Sequence, residues 1–225
     1  MKFWKYQLNG NDFILIQTKK TPAKEWIIKT CNRYMGIGAD GILCINIIND
    51  KLYYHHYNAD GSMAKMCGNG IRCVGDWYMK NKKIKQCTIE IQNQVFHLYA
   101  NQEFVTLIAP IPKILSNNTY QSGVKHKISD SYEENNEYNV DVVHYYNSMY
   151  FKVDTYELGV GYTKSCGTGA LAAYYHGYLH HNLHSIAFVT SEGGMNIIRK
   201  SNHHLYLSGK PVCVYFGYFT NKCEN

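Results

Sequence analysis

The sequence lacks several features that would have placed it in other classes of protein. No run of about 18 apolar residues is present, so no helix is predicted to cross a membrane. The start, MKFWKYQLNGNDF, has no apolar core of the secretory type. None of the eight cysteines forms a CxxC pair, which argues against a zinc site. We therefore expect a cytoplasmic protein with reduced thiols, no metal and no membrane partner.

Positive charge is present but is not concentrated. The formal net charge is +6, yet the lysines are scattered and NKKIK is their only dense cluster. A basic chain with 21 tyrosines has the composition of some nucleic-acid-binding proteins. Because no basic stripe accompanies that composition, we expect no nucleic-acid partner.

The remaining composition predicts a folded chain that is rich in β-strands. A length of 225 residues with 45% hydrophobic content fits one large domain or two small ones. Short apolar runs punctuated by Asn, Asp and Gly fall into two groups, before and after Pro112. The polar stretch 116–137 between them is predicted to be a linker or a long surface loop. Helices are predicted at 22–34, 69–81 and 168–182.

One short pattern occurs twice, as MCGNGIRC at 66–73 and as SCGTGALAAYY at 165–175. Both copies read Cys-Gly-polar-Gly and continue into a predicted helix. The first turn of a helix leaves N–H groups unpaired, and together with the helix dipole they favour anions. Glycine permits close approach of a ligand, and a cysteine at such a position ionises more readily than a free one. Each copy therefore predicts a reactive thiol beside an anion site.

A pair of such sites suits the inversion of a stereocentre. If the two helix starts face each other, the N–H groups of Gly68, Asn69, Gly167 and Thr168 would bind one carboxylate. Cys67 and Cys166 would then flank the adjacent carbon, one as thiolate and one as thiol, and no covalent cofactor would be needed. The alternative is that both stretches are glycine turns in which cysteine is a small buried apolar residue.

At these motifs the sequence resembles the diaminopimelate epimerases and related cofactor-independent amino-acid racemases. The matching segments are GNDFILI (10–16), RYMGIGADGIL (33–43), YNADGSMAKMCGNGIRC (57–73), YELGVGYTKSCGTGALAA (156–173) and GGMNI (193–197). The resemblance implies an α+β fold with two pseudo-symmetric domains. Each would be a β-barrel-like antiparallel sheet wrapped around a central helix, with the active site between the domains. The implied limits are 1–111, completed by 211–225, and 112–210.

The resemblance also implies roles for individual residues. Cys67 and Cys166 correspond to the two bases, and Glu157 to the glutamate that assists the second of them. Three asparagines correspond to residues that line the substrate pocket: Asn11, Asn58 and Asn139. Three charged residues correspond to motif positions that hold loops: Asp40, Asp60 and Arg72. The implied enzyme needs no cofactor and takes a small amino acid as its partner, and a homodimer is left open.

The chain departs from the family pattern at the residue after Glu157. Family members have an arginine there, which in the epimerases binds the distal carboxylate of the substrate, and this chain has Leu158. Arginine clamps carboxylates with two hydrogen bonds and leucine cannot. The departure favours an amino acid with a single carboxylate, such as histidine. The alternative, suggested by the overall resemblance, is LL- to meso-diaminopimelate epimerisation.

A second departure is the length between IAPIPKI and YNVDVV, which is shorter than in the family. The missing part normally includes an Asn-Pro-His strand whose histidine pairs with the first cysteine. We therefore expect no equivalent histidine, with His144 or another histidine as a candidate substitute. The loss also leaves open a catalytically weakened relative that only binds amino acids. A metal protein using Cys67, Cys73 and His55 or His56 is the remaining alternative.

Overall fold

The chain divides into two compact units. A computed structural model describes residues 1–49, 51–64, 66–91 and 94–220. The first unit contains residues 1–105 and 210–225, and the second contains residues 106–209. Because strand Val212–Tyr218 belongs to the first unit, that unit is built from both ends of the sequence.

The secondary structure is mostly strand. The elements in chain order are β1 (Lys2–Leu8), β2 (Asn11–Gln17), α1 (Lys24–Cys31), β3 (Gly41–Ile48), β4 (Lys51–Asn58), α2 (Gly68–Lys82), β5 (Gln86–Ile91), β6 (Gln94–Asn101), β7 (Phe104–Pro110), β8 (Lys113–Ser116), β9 (Thr119–Ser122), β10 (Val124–Ser129), β11 (Asn139–Tyr145), β12 (Tyr150–Glu157), β13 (Gly161–Thr163), α3 (Gly167–His180), β14 (Ile186–Ser191), β15 (Gly194–Lys200), β16 (His204–Gly209) and β17 (Val212–Tyr218). No helix in the described ranges is long and apolar enough to span a bilayer.

The first unit is a mixed sheet around α2. Its strands pair in the order β17, β1, β2, β3, β4, β5 and β6. The β2–β3 and β4–β5 pairs are parallel, and the others are antiparallel. Helix α2 packs against β1, β2, β3, β5 and β6, and every residue from Gly68 to Met79 is buried. A helix enclosed in this way needs apolar residues on all sides, which Ile71, Val74 and Trp77 supply.

The second unit repeats this plan around α3. Its strands pair in the order β8, β9, β10, β11, β12, β14, β15 and β16, with β13 paired to β12. Again two pairs are parallel, β10–β11 and β12–β14. Helix α3 is buried from Gly167 to Tyr174 and packs against strands on several sides. The run Ala170–Tyr174 belongs to the core of this unit with Phe151 and Leu207.

The predicted α+β class with two pseudo-symmetric halves is confirmed, and each sheet contains parallel as well as antiparallel pairs. The three predicted helices form, with ends within a few residues of those expected. The prediction of a linker at 116–137 is wrong, because β9 and β10 lie within that stretch and bury Tyr120 and His126. Polar composition concealed a two-residue alternation in which Val124, His126 and Ile128 share one face.

Candidate active site

Cys67 is the N-cap residue of α2. Its backbone is extended, and its Sγ accepts a hydrogen bond from the N–H of Gly70 at 3.4 Å. The thiol also lies 3.6 Å from Oδ1 of Asn11, which accepts from it. The side chain is partly buried. The sulfur therefore lies beside the unpaired N–H groups of a helix start, as the motif predicted.

Asn11 is held in place by a network of charged residues. Its Nδ2 donates to Oδ2 of Asp40 at 2.8 Å, which leaves Oδ1 directed at Cys67. Asp40 is held in turn by Arg33, whose Nη2 lies 2.7 Å from both Asp40 Oδ1 and Asp12 Oδ1. Burial raises the pKa of Asp12, but hydrogen bonds from Arg33 and Lys5 outweigh this and hold the pKa at about 2. Asp40 thus orients the side chain of Asn11 and, through Arg33, holds its own loop in place.

Arg72 is a fully buried guanidinium on α2. Its Nε donates to the carbonyl of Gly68 at 2.9 Å, and its Nη2 donates to Oδ1 of Asn69 at 2.7 Å. Burial lowers the pKa of Arg72 to about 10, while the charges of Cys73 and Cys67 act in the opposite direction. Arg72 therefore stays charged at neutral pH. A cation that interacts with Cys67 stabilises its thiolate.

Asn58 ends β4 and is oriented by a short hydrogen-bonded turn. Its Nδ2 donates to Oγ of Ser62 at 3.0 Å. Asp60 Oδ1 accepts from both the N–H and the Oγ of Ser62, at 2.8 and 2.6 Å. The asparagine is thus fixed at the end of its strand through Ser62 and Asp60.

Cys166 occupies the equivalent position at the start of α3. Its Sγ accepts from the N–H of Gly169 at 3.4 Å and lies 3.3 Å from Oγ1 of Thr168. Burial raises the pKa of Cys166 well above its usual value, and the negative charges of Glu157 and Asp141 raise it further. Hydrogen bonds from Thr168 and Gly169 partly offset these effects. Burial and the two carboxylates therefore favour the thiol form of Cys166.

Glu157 ends β12 and lies beside Cys166. Its Oε1 accepts from Oγ1 of Thr163 at 3.2 Å. Burial raises the pKa of Glu157, although hydrogen bonds from Thr163 and Cys166 act in the opposite direction. The glutamate identified in the sequence therefore has the second cysteine as a direct partner, and it is protonated more readily than an exposed glutamate.

Asn139 and Leu158 meet at the turn between β12 and β13. Oδ1 of Asn139 accepts from the backbone N–H of Leu158 at 2.8 Å, and Asn139 is buried. The side chain of Leu158 is 49% exposed and that of Val160 is 67% exposed. The turn thus presents apolar side chains where the family has a cation.

The sequence analysis missed His126, which is fully buried on β10. Its Nδ1 lies 2.7 Å from Oδ2 of Asp141, and its Nε2 lies 3.0 Å from Oγ1 of Thr168. His144, the suggested substitute histidine, is exposed on β11. The alternation of Val124, His126 and Ile128 after Gly123 could have identified a buried histidine, had the stretch been considered as a strand.

The candidate residues fall into two groups, one in each unit. Around the start of α2 lie Asn11, Cys67, Gly68 and Asn69, with Asn58 at the end of β4. Around the start of α3 lie Asn139, Glu157, Leu158, Cys166, Gly167 and Thr168. In the part of the chain that the structure describes, no group of three or more His, Cys, Asp or Glu residues is arranged to hold a metal ion.

Comparison with known proteins places the chain among isomerases. Relatives described as diaminopimelate epimerase include one from Campylobacter jejuni subsp. doylei, 31% identical over 93% of this chain and 95% of that protein. Another, from Flavobacterium psychrophilum, is 34% identical over 76% of this chain and 79% of that protein. A hydroxyproline epimerase structure from Agrobacterium vitis has the same fold, with a TM-score of 0.69, 10% identity, and coverage of 96% of this chain and 91% of the other.

The family model itself matches twice. The model described as diaminopimelate epimerase aligns with residues 3–105 and again with residues 96–214. The two matches correspond closely to the two compact units, as expected for a fold whose halves repeat one plan. The chain belongs to the diaminopimelate epimerase family and is an isomerase of the epimerase and racemase type.

Proposed function

We propose that this protein inverts the α-carbon of an amino acid with Cys67 and Cys166 as its two bases and without a cofactor. The observation that carries the proposal is that each unit begins its buried helix with a capping cysteine whose sulfur accepts a helix N–H. The proposal takes the two units as two domains with the helix starts on either side of one substrate. One thiolate removes the Cα proton and the thiol on the other face delivers a proton.

Electrostatics supports a defined starting state for this pair. The guanidinium of Arg72 acts on Cys67, while carboxylates act on Cys166. The two sulfurs therefore have different electrostatic surroundings, and a two-base inversion requires one of them as thiolate and the other as thiol. For one direction of the reaction we propose that Cys67, as thiolate, removes the proton and that Cys166, as thiol, delivers one.

The N–H groups at the two helix starts would bind the carboxylate of the substrate. Gly68 and Asn69 begin α2, and Gly167 and Thr168 begin α3. As the Cα proton leaves, negative charge develops on the carboxylate, and fixed dipoles directed at that charge lower the barrier. Glycine at 68 and 167 would let the carboxylate approach the backbone closely.

We further propose a substrate with one carboxylate, such as histidine. The support is Leu158, an exposed apolar residue where the epimerases place an arginine. An imidazole or another flat side chain packs well against such a surface, whereas a distal carboxylate gains nothing from it.

Diaminopimelate is the second candidate substrate. It is favoured by the relatives described as diaminopimelate epimerases, whose alignments cover 76–96% of this chain at 28–34% identity. With that substrate, a cation other than residue 158 must bind the distal carboxylate. Lys164 is a cation close to Leu158 in the sequence, and its Nζ lies 3.8 Å from Oε1 of Glu192.

Isotope exchange tests the proposal directly. The protein is incubated in deuterated water with a panel of L-amino acids that includes histidine and both LL- and meso-diaminopimelate. Mass spectrometry should show deuterium at Cα of the substrate, and chiral chromatography should show its inverted form. If no member of the panel exchanges while calorimetry detects binding, the protein binds amino acids without turnover and the proposal fails.

A further inference from the structure

We propose that the second unit has a separate binding pocket for a small organic ammonium ion, at the opposite end of α3 from Cys166. The pocket has a volume of about 250 Å³, and its lining includes Lys127, Asp130, Glu133, Tyr145, His176 and His181. His176 follows Cys166 by ten residues, which is about 15 Å along a helix that rises 1.5 Å per residue. The pocket therefore lies outside the candidate active site and does not depend on the proposed inversion of Cα.

The charges around the pocket favour a cation. Its lining contains one lysine, Lys127, and two carboxylates, Asp130 and Glu133. Nζ of Lys127 donates to Oε2 of Glu133 at 2.6 Å, whereas the carboxylate of Asp130 forms no ion pair in the part of the chain that the structure describes. Burial lowers the pKa of His176 to about 4, although the negative charge of Asp130 acts in the opposite direction, so this ring is neutral at pH 7. Asp130 is therefore available to a cation from solution.

His176 supplies the pocket with a hydrogen-bond donor. Its side chain is 7% exposed, and its Nδ1 lies 2.9 Å from the hydroxyl of Tyr120. Among the described residues the Tyr120 hydroxyl has no other partner, so we assign it as the donor to Nδ1, which puts the proton of the neutral ring on Nε2. His176 lines the pocket and Tyr120 does not, so Nε2 is the nitrogen that faces the pocket. A ligand that carries an acceptor would satisfy this buried donor.

Two stacked rings form part of the pocket wall. The ring of Tyr145 lies 4.2 Å from that of His181, with an angle of 16° between the ring planes. Tyr145 is fixed by its hydroxyl, which donates to the carbonyl of Ala173 at 2.8 Å, whereas His181 is exposed. Ring faces attract cations and pack well against flat apolar groups. A ligand can therefore place its body against these rings and its ammonium group against Asp130.

The polar lining is not a requirement of the fold, because the first unit has apolar residues at the equivalent positions. His176 is the tenth residue of α3, and the tenth residue of α2 is Trp77. Trp77 packs edge-to-face against Trp4, with the ring centres 5.2 Å apart. Tyr145 is the seventh residue of β11, and the seventh residue of β3 is Ile47. Only the second unit therefore has a hydrogen-bonding imidazole and a phenol at these two places.

Calorimetric titration of the full-length protein with tyramine at neutral pH tests the pocket. Tyramine has an ammonium group, an aromatic body and a hydroxyl that can accept from His176, and it has no carboxylate for the helix starts to bind. We expect saturable binding of one equivalent. Tyrosol, in which a hydroxyl replaces the ammonium group, should bind about fivefold more weakly or worse, the factor that corresponds to one exposed charge pair. Equal affinity for the two compounds, or no binding of millimolar tyramine, would overturn the proposal.

Two charge substitutions locate the bound tyramine. Asp130→Asn keeps the shape of the side chain but removes its charge, and it should weaken tyramine binding about fivefold. Glu134→Gln removes an exposed carboxylate of the same segment that is not part of the lining, and it should keep the affinity of the unaltered protein. Equal weakening in both variants would show a response to overall charge, and unchanged affinity in Asp130→Asn would place tyramine elsewhere. Either result would overturn the proposal.

Two ring substitutions and an NMR titration complete the test. His181→Ala removes an exposed ring and should weaken tyramine binding about threefold, the size of a surface cation–π contact. Tyr145→Phe keeps the stacked ring, loses only the bond to Ala173 and should retain the affinity. In the unaltered protein, tyramine should shift the backbone amide signals of residues 127–133 and 176–181. Shifts confined to the residues around Cys67 and Cys166 would assign tyramine to the candidate active site and overturn the second pocket.

Discussion

Gly169 allows the carboxylate of Asp141 to lie against the first turn of α3. A methyl group at position 169 would overlap Asp141 Oδ1 and would also meet Oγ1 of Thr155 at 2.8 Å. The corresponding glycine of α2, Gly70, has Leu43 Cδ2 at 3.4 Å from the same imagined methyl group. The two helices therefore begin with the same Cys-Gly-polar-Gly pattern, but there is room for a side chain at Gly70 and none at Gly169.

This difference predicts unequal effects of alanine. Gly169→Ala should lower the free energy of unfolding by about 1–3 kcal/mol, the usual range for overpacking a core. Gly70→Ala should change it by less than about 1 kcal/mol, because alanine also favours helix. Urea unfolding of both variants measures the difference. Equal losses would show that the close approach of Asp141 has no energetic consequence.

The two-base proposal predicts that either capping cysteine is indispensable. Cys67→Ser and Cys166→Ser should each reduce inversion of Cα by about 100-fold or more, at least the contribution of one general acid or base. A serine hydroxyl is a far weaker acid than a thiol, and its alkoxide is not accessible near neutral pH. Cys213→Ser, at an exposed cysteine of β17, is the matched control and should keep full activity. Inversion at the full rate by either capping variant would remove that cysteine from the mechanism.

Substrate choice is predicted to follow residue 158. Leu158→Arg should raise activity on diaminopimelate relative to histidine, because it restores a clamp for the distal carboxylate. Val160→Arg adds the same charge two residues further along the same exposed turn and should not produce the change. Competition assays with both substrates in one reaction give the ratio. A ratio that is identical in the two variants would show that charge, and not position 158, controls specificity.

A buried histidine predicts acid sensitivity. Burial lowers the pKa of His56 to about 4, and no partner for either ring nitrogen is found among the described residues. The pKa of His56 in the folded state lies below the unfolded value of 6.5. The free energy of unfolding therefore keeps its full value above about pH 6.5 and declines as the pH falls towards 4. In His56→Leu the loss of unfolding free energy on acidification should be smaller than in the unaltered protein. The difference should be at most about 3 kcal/mol, the upper bound set by the pKa shift of His56.

His176 provides the comparison for His56. Burial likewise lowers the pKa of His176 to about 4, but its Nδ1 lies 2.9 Å from the hydroxyl of Tyr120. His176→Leu should therefore also reduce the acid decline, while costing stability at neutral pH because Tyr120 loses its partner. Thermal melts from about pH 7 down to about pH 4 compare the two variants over the relevant range. An unchanged pH dependence in His56→Leu would contradict the assignment of His56 as a buried neutral group.

The proposed arrangement of the two helix starts predicts a disulfide. In the substrate-free protein, a mild oxidant should join Cys67 to Cys166 and abolish Cα exchange, and a reductant should restore it. Peptide mapping identifies the bond, and bound substrate should slow its formation. Activity that is indifferent to oxidant, or a Cys67 that pairs only with other cysteines, would argue against two thiols at one substrate.

The parts of the candidate site that consist of residues close together in the sequence could be predicted from the sequence. The N-cap role of Cys67 and Cys166 follows from consecutive residues, because a helix start is defined by a single turn of chain. Leu158 and Glu157 were recognised because they adjoin a specific motif. His126 was missed because its stretch is polar and its partners, Asp141 and Thr168, are distant in sequence.

By itself the sequence determined the two buried helices, their capping cysteines and the family, because each depends on short patterns of residues that are close together along the chain. Only the tertiary structure decided that β9 and β10 replace the expected linker. It also decided that Asp141 and His126 lie near Cys166 and that Arg72 interacts with Cys67. The physical reason is that parallel pairing of β10 with β11 brings together residues whose charges interact only once they are buried side by side.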